Sequence, residues 1–252
     1  MGKKYFVWSF DDGLEQDKKI VEILRGFNMG ATFNLNSGLY GKQQMIGRIG
    51  TLGCKEIPME EFRKQRHHLL KYVPHCRIPE DEVCQVYEGF EIASHTVSHK
   101  NLTKLTEAEI RDEITQDIQR LSQKFSRNVT GFAYPFDASN DTVKKVLQDC
   151  GITYARTVGA VKNYAFPADS MDLPISCWHI SSKAMEKLDA FLGAPQQEED
   201  MLFVMFAHGY EFDFGMKESS WEKFKRICDR VASDDEIICC STADAFASHK
   251  KS

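Results

Sequence analysis

The sequence has no run of apolar residues long enough to cross a membrane as a helix. It has no basic excess: 252 residues carry a net charge of −5, so the electrostatic footprint of a general nucleic-acid binder is missing. Its eight cysteines (Cys54, Cys76, Cys84, Cys150, Cys177, Cys228, Cys239 and Cys240) include no Cys-x-x-Cys pair, so the ligand spacing of a structural zinc site is absent. No secretory leader is legible, because Met1-Gly2-Lys3-Lys4 runs directly into the first apolar stretch. The expectation is a cytoplasmic protein with reduced, mostly buried thiols. There is no internal repeat and no low-complexity tract. What remains is a globular chain, read as a single domain over residues 1–252, whose 42% hydrophobic residues can bury a sizeable core.

What is present is an alternation of short apolar runs and amphipathic stretches, the pattern of an α/β protein with a parallel sheet. Strands are expected at residues 5–10, 31–35, 90–93, 131–134, 152–155, around 175–180, at 201–207 and at 236–240. Helices are expected between them, among them one carrying Ile110, Ile114, Ile118, Leu121 and Phe125 behind a Thr106/Glu109 capping box. From Ser37 to Gly53 five glycines break every amphipathic pattern. Residues 37–57 are therefore read as a loop excursion or a lid beside the site. A helix opening at Pro58 carries Phe62, Leu69 and Leu70 on its apolar positions, with His67 and His68 on a solvated face. His75, Cys76 and Pro79 fall in an irregular stretch with no functional reading. So does the segment from Thr157 to Pro174.

Polar residues cluster at the ends of these runs. Asp11, Asp12, His95, His99, Arg156 and His208 all lie at or just past the C-terminal ends of expected strands spread along the chain. A closed barrel brings those ends to one face, whereas an open sheet leaves the outermost ends far apart. The fold class expected is α/β, an irregular (β/α) barrel of seven or eight strands.

The stretch Ser9-Phe10-Asp11-Asp12-Gly13 places two adjacent carboxylates at the mouth of a buried strand. Such a pair is costly to desolvate, so it implies a cation or a division of labour between an acid–base group and a ligand. The alternative is a solvated strand-to-helix turn. His95 and His99 are four apart, on one face if the turn is helical, and are either a metal-binding pair or an ordinary surface pair. Two imidazoles and one carboxylate make a three-ligand set with open positions, the build of a catalytic zinc or facial-triad site. The second carboxylate would then be free to take a proton from water.

These motifs resemble those of the NodB-type polysaccharide deacetylases, carbohydrate esterase family four. Ser9 to Gly13 resembles the family's Thr/Ser-Phe-Asp-Asp-Gly motif, and His95-Thr96-Val97-Ser98-His99 its His-Ser/Thr-x-x-His motif. His208 resembles its strand-ending histidine. The resemblance runs in the family's order from Tyr5 to about Asp244 and agrees with the barrel. It implies Asp11 as general base, Asp12, His95 and His99 as metal ligands, and His208 as general acid. The metal implied is one divalent ion, zinc first, with cobalt, nickel, manganese or iron as alternatives. The reaction implied is hydrolysis of an N-acetyl, sometimes O-acetyl, group on a sugar, with a backbone N–H near Phe136 holding the oxyanion.

The later motifs depart from the family. Its Arg-x-Pro-Tyr/Phe-Gly stretch is replaced by Ala133-Tyr134-Pro135-Phe136-Asp137, which lacks the arginine that orients the base. Arg156 is the expected substitute, against the alternative of an ordinary ion-paired arginine. Of the family's Asp-Trp motif only Trp178, as the candidate aromatic wall, and Asp172, as the candidate for the acid, remain. Tyr134, Pro135, Phe136, Trp178 and Tyr210 are expected to contact substrate, with Glu211 and Trp221 also near the mouth. Core packing is the expected role of Trp221, and His179 is either a core or a site residue. The expected partner is an acetylated sugar or a small amide, with no nucleic acid and no membrane, and with homo-oligomer formation left open. A non-sugar C–N bond (a ureide or formamide) is the alternative substrate, and a catalytically silent sugar-binding protein the alternative class.

Overall fold

A computed structural model describes residues 1–49, 53–64, 71–161 and 163–249. The first apolar run forms β1 (Lys4–Asp11), buried along its whole length. Strands buried on both faces are continuous in hydrophobicity, and this one lies at the centre of the sheet. Helix α1 (Asp17–Gly26) returns the chain to β2 (Thr32–Leu35). The chain then builds β3 (Gln44–Ile49), β4 (Gly53–Pro58), the short α2 (Met59–Lys64) and β5 (Tyr72–Pro74). Next come α3 (Val83–Val86), β6 (Glu91–Ser94), α4 (Glu107–Phe125), β7 (Gly131–Ala133), α5 (Asp141–Asp149) and β8 (Tyr154–Ala160). The C-terminal part supplies β9 (Leu173–Ile175), β10 (Cys177–Trp178), α6 (Ala184–Leu192), β11 (Met201–His208), α7 (Trp221–Ala232), β12 (Ile237–Cys239) and α8 (Thr242–His249).

The main sheet runs β10-β11-β1-β2-β6-β7-β8-β9, every pair parallel. Its two ends, β9 and β10, are separated by Ser176 alone, so the eight strands curl into a nearly closed barrel. The barrel is irregular in two places. β12 pairs with β1 over Lys4–Phe6, beside the stretch Ser9–Asp11 that β2 takes. The β8–β9 register shifts between Arg156 and Ala160.

Strand alternation sorts the side chains of β1 into two cores. Phe6, Trp8 and Phe10 pack outward against α1, α6 and α7 through Ile20, Leu24, Leu188, Phe224 and Ile227. Tyr5 and Val7 point the other way and meet Tyr154, Leu173, Leu202, Val204 and Phe206 inside the barrel. Asp11 has the parity of Tyr5 and Val7, and Arg156 that of Tyr154. Both therefore belong to the interior. α4 is held at its start by the expected capping box: Thr106 N–H donates to Glu109 Oε2 (2.8 Å) and Glu109 N–H to Thr106 Oγ1 (3.4 Å). Such a cap contributes about 1 kcal/mol.

The excursion at 37–57 is not a loop throughout. Its described stretches Gln44–Ile49 and Gly53 to Ile57 are β3 and β4 of the antiparallel sheet β4-β3-β5. Glycine removes propensity, but Gly47 sits where the ring of Tyr72 covers the strand, and a Cβ there would collide with it. The strand ending at Arg156 in the sequence reading continues to Ala160, so Arg156 sits within a strand. The irregular segment Thr157 to Pro174 thus begins as strand, and its end is β9. The stretch 175–180 is two short strands broken at Ser176. Leu69, Leu70, His67 and His68 lie outside the described residues.

Candidate active site

The parallel strands deliver their C-terminal ends to one face, where a cavity of about 520 Å³ opens. Asp11, Asp12, His95, His99, Tyr134, Phe136, Trp178, His208 and Tyr210 all line it. The small sheet supplies a further wall through Ile46, Cys54 and Glu56, with His75 just beyond β5. The backbone is strained here. Among the described residues seven other than glycine have positive φ, and five of them belong to these loops: Asp12 (88°), Thr96 (67°), His99 (55°), Phe136 (58°) and Asp137 (57°). Each such residue costs of order 1–3 kcal/mol, a cost that the surrounding hydrogen bonds must offset.

Ligand atoms of Asp12, His95 and His99 all lie within 4.8 Å of one another. His95 is buried, and its Nδ1 donates to Ala133 O (2.7 Å), which leaves Nε2 with its lone pair toward the cavity. Burial holds both imidazoles in the neutral, ligating form, His99 down to about 4. The loop that carries them is anchored by the buried Asp117. Its carboxylate accepts from Ser94 Oγ (2.6 Å), His95 N (3.2 Å) and Ser37 N (2.8 Å). Asp12 Oδ1 is buried without a well-formed hydrogen bond among the described residues. An aimed carboxylate and two neutral imidazoles fit a divalent cation.

Asp11 is held separately. Arg156 Nη2 lies 2.5 Å from both of its oxygens, and Asn34 Nδ2 donates to Oδ1 (2.8 Å). Arg156 is almost wholly buried, its guanidinium 4.5 Å from the centre of the Phe206 ring. Burial alone would raise the Asp11 carboxyl, but the Arg156 guanidinium, with the charged His208 beside it, outweighs burial and keeps Asp11 below the usual carboxylate range.

On the neighbouring strand, paired with Asp11, His208 donates from Nδ1 to Glu211 Oε1 (3.0 Å), which leaves Nε2 without a hydrogen-bond partner among the described residues at the cavity. Burial pulls its pKa down, yet the Glu211 carboxylate more than compensates and raises it to about 9. Glu211 itself is pulled to about 2, the His208 charge outweighing burial. Glu211 also accepts from Trp178 Nε1 (3.0 Å) and sits 3.1 Å from His179 Nδ1, behind the wall.

The expected substrate contacts separate. Trp178 and Tyr210 line the cavity, Tyr210 stacked on His208 at 5.1 Å. Phe136 is 66% exposed, its ring 4.6 Å from that of His99. Tyr134 reaches the cavity, although its hydroxyl donates to Met171 O (2.9 Å). Pro135 is buried and lies outside the lining. Asp172 is on the surface beside Lys144 (3.3 Å), not with His208. The carboxylate that pairs with His208 is instead Glu211, three residues after it. Trp221 packs on Phe212 and donates to Asp213 Oδ1 (3.0 Å), away from the mouth. His179 is buried, 2.8 Å from Ser219 Oγ.

Two residues without a functional reading in the sequence lie against Asp12. His75 Nε2 lies 3.2 Å from Asp12 Oδ2, and Arg77 Nη2 lies 3.1 Å from Asp12 Oδ1. Both are buried. They are two apart on extended chain, hence on one side, and that parity was the only local signal.

A family model described as polysaccharide deacetylase matches residues 1–155. No curated protein matches the sequence. Among solved structures, a candidate polysaccharide deacetylase from Mycobacterium smegmatis aligns with a TM-score of 0.65 at 15% identity, over 100% of this chain and 92% of that one. Peptidoglycan deacetylase PdaC from Bacillus subtilis gives 0.53 at 12% identity, over 99% and 93%. The 4-alpha-glucanotransferase from Thermococcus litoralis gives 0.65 at 12% identity, over 98% of this chain and 40% of that one. At such identities the structural likeness establishes the fold and leaves the chemistry to the site.

Proposed function

The chain belongs to the polysaccharide deacetylase family, and from that premise we propose that it is a divalent-metal-dependent hydrolase that removes an N-acetyl, or O-acetyl, group from a carbohydrate. One observation carries this reading: a ligand set of buried Asp12, buried His95 and half-buried His99 lines the same cavity as a carboxylate held ionised by Arg156 and, beside that carboxylate on the adjacent strand, a histidine held protonated by Glu211. Asp12, His95 and His99 would hold the ion. When bound, a divalent ion supplies Lewis acidity and brings the pKa of water from about 15.7 toward about 7.

The chain's own groups divide the proton work. Asp11 accepts the proton of the attacking water, and Arg156 and Asn34 fix which way its oxygens point. His208, charged at neutral pH, donates from Nε2 to the leaving nitrogen, which departs as a neutral amine. The Phe136 N–H, presented by a backbone at positive φ, is the proposed donor to the oxyanion. Trp178, Tyr210 and the exposed Phe136 ring form the apolar walls that hold a sugar face. Eight cysteines without a disulfide support a reducing, cytoplasmic site of action.

A second reading, a small non-sugar amide, ureide or formamide as substrate, is favoured by the wall that Ile46, Cys54 and Glu56 add. A cavity of about 520 Å³ with such a wall is of small-molecule size. Acetate release from chitooligosaccharides and N-acetylglucosamine derivatives, set against ammonia or formate release from ureides and formamides, separates the two. No turnover of any acylated substrate in the presence of zinc or cobalt would sink both.

A further inference from the structure

The cavity carries one arrangement that the proposed reaction does not use. Asp12 is the only carboxylate of the metal-ligand set, and it already has a cation. Arg77 is 3% exposed, with Nη2 3.1 Å from Asp12 Oδ1, while His75 Nε2 lies 3.2 Å from Oδ2 on the other side. Arg77 Nε has no hydrogen-bond partner among the described residues, and Asp12 is the one carboxylate within ion-pair distance of its guanidinium there. The strap that carries the two residues is tied to the Asp12 turn by its backbone. Ile78 N–H donates to Gly13 O (3.0 Å), Glu15 N–H to Cys76 O (2.8 Å), and Leu14 bridges Arg77. The strap is tied equally to the edge of the small sheet, through His75 N–H to Gln44 O and Arg77 N–H to Lys42 O, both 2.9 Å.

Within this cluster Asp11 and Asp12 are balanced by Arg156 and Arg77, two negative charges against two positive. An arginine cannot lose its proton to make room for a second cation. A divalent ion entering the site meets a neutral cluster and a like charge a few ångströms away, where the Coulomb term is large because the site is buried. Removing Arg77 would restore the attraction but leave the buried Asp12 unpaired in the metal-free protein, which is costly.

We infer that Arg77 is a resident counter-cation of the metal site: it stabilises the metal-free protein by pairing with Asp12 and, by the same contact, weakens the affinity for a divalent ion. Resting on the metal-site reading above, the inference makes this a loosely held, exchangeable ion. His75 completes the cradle, its Nε2 lying 3.2 Å from Asp12 Oδ2 and 3.3 Å from Arg77 Nη1.

The test is a titration of chelator-treated full-length protein with zinc alone and cobalt alone. Calorimetry and the cobalt absorption bands report affinity, and thermal melts are recorded with and without metal. Arg77→Gln should bind zinc roughly ten- to a hundredfold tighter at unchanged stoichiometry. It should melt lower than the parent without metal and gain more on adding it. Arg77→Lys, which keeps the charge, should stay within about threefold of the parent. Binding by Arg77→Gln alone, or folding of that variant only when zinc is present, supports the inference in its strongest form. A folded Arg77→Gln whose affinity equals or falls below that of a metal-binding parent overturns the inference and leaves the metal site standing. Should Arg77→Gln not fold under any condition, a lysine variant that binds about tenfold tighter or more overturns it on its own. If neither parent nor any folded variant binds metal, the metal-site reading and the inference fall together.

Discussion

Arg156 and Asp11 meet inside the barrel across 145 residues of sequence, with Arg156 Nη2 2.5 Å from each carboxylate oxygen. The contact is dictated by strand parity. Asp11 follows Tyr5 and Val7 on the inner face of β1, and Arg156 follows Tyr154 on the inner face of β8. The guanidinium also lies over Phe206, so both its charge and its flat face are used.

Arg156→Ala should lower kcat by about 10²-fold, since Asp11 would lose both its orientation and its counter-charge. Asp11 is held below the usual carboxylate range in the folded protein, so the acid limb of the pH–rate profile should move to higher pH in the variant. Arg156→Lys should recover part of both effects. The same depression stabilises the fold above the unfolded carboxyl pKa of about 3.9, and that contribution is lost as pH falls through the folded value. Unchanged turnover and an unmoved acid limb in a folded Arg156→Ala would rule out a positioning role.

Asp11 and Asp12 should separate cleanly. Asp11→Asn should keep the metal and lose about 10²- to 10⁴-fold in turnover. Asp12→Ala should lose the metal, as measured by metal analysis after dialysis. The reverse pattern would exchange the two roles. Chelation of the parent should abolish turnover, with recovery on adding zinc or cobalt.

The alkaline limb belongs to His208. Its pKa is raised to about 9, so the acid is present at neutral pH and kcat/KM should fall as pH rises through about 9. Glu211→Gln removes the anion responsible while burial still acts downward. The limb should then drop toward or below about 6.5, the ordinary histidine value. The raised pKa also stabilises the fold, fully below about 6.5, and that contribution is lost as pH rises through about 9. A Glu211→Gln profile superimposable on the parent's would exclude Glu211 as the partner that tunes the acid.

Phe136 separates a backbone role from a side-chain role. Phe136→Gly keeps the N–H and accepts the positive φ of 58° at no steric cost, so kcat should hold within a few-fold. The exposed ring beside His99 is lost, and KM should rise. A collapse of kcat with KM unchanged would argue that the ring itself takes part in the chemistry.

Much of this was legible without coordinates. A buried parallel strand needs an unbroken apolar run, and a chain reversal needs polar residues at its end. Asp11, Asp12, His95, His99 and His208 therefore announced themselves by where their runs stopped. Arg156 was suspected for the same reason, though its strand continues past it to Ala160. The small sheet β4-β3-β5 was missed because Gly47 and Gly53 lower strand propensity locally, while cross-strand pairing and the Tyr72 ring override it. Motif order points to Asp172, whereas the carboxylate that reaches His208 is fixed by one turn of 3₁₀ helix after β11.

By itself the sequence determined the α/β alternation, the strand ends and the chemical types gathered there, because burial periodicity and turn chemistry are local properties. Only the tertiary structure decided which charges meet. Arg156 with Asp11, Glu211 with His208, and Arg77 and His75 with Asp12 are pairings set by barrel closure and by a strap hydrogen-bonded across the Asp12 turn. A charge's partner depends on distances of a few ångströms between segments far apart in sequence, and no local pattern encodes those.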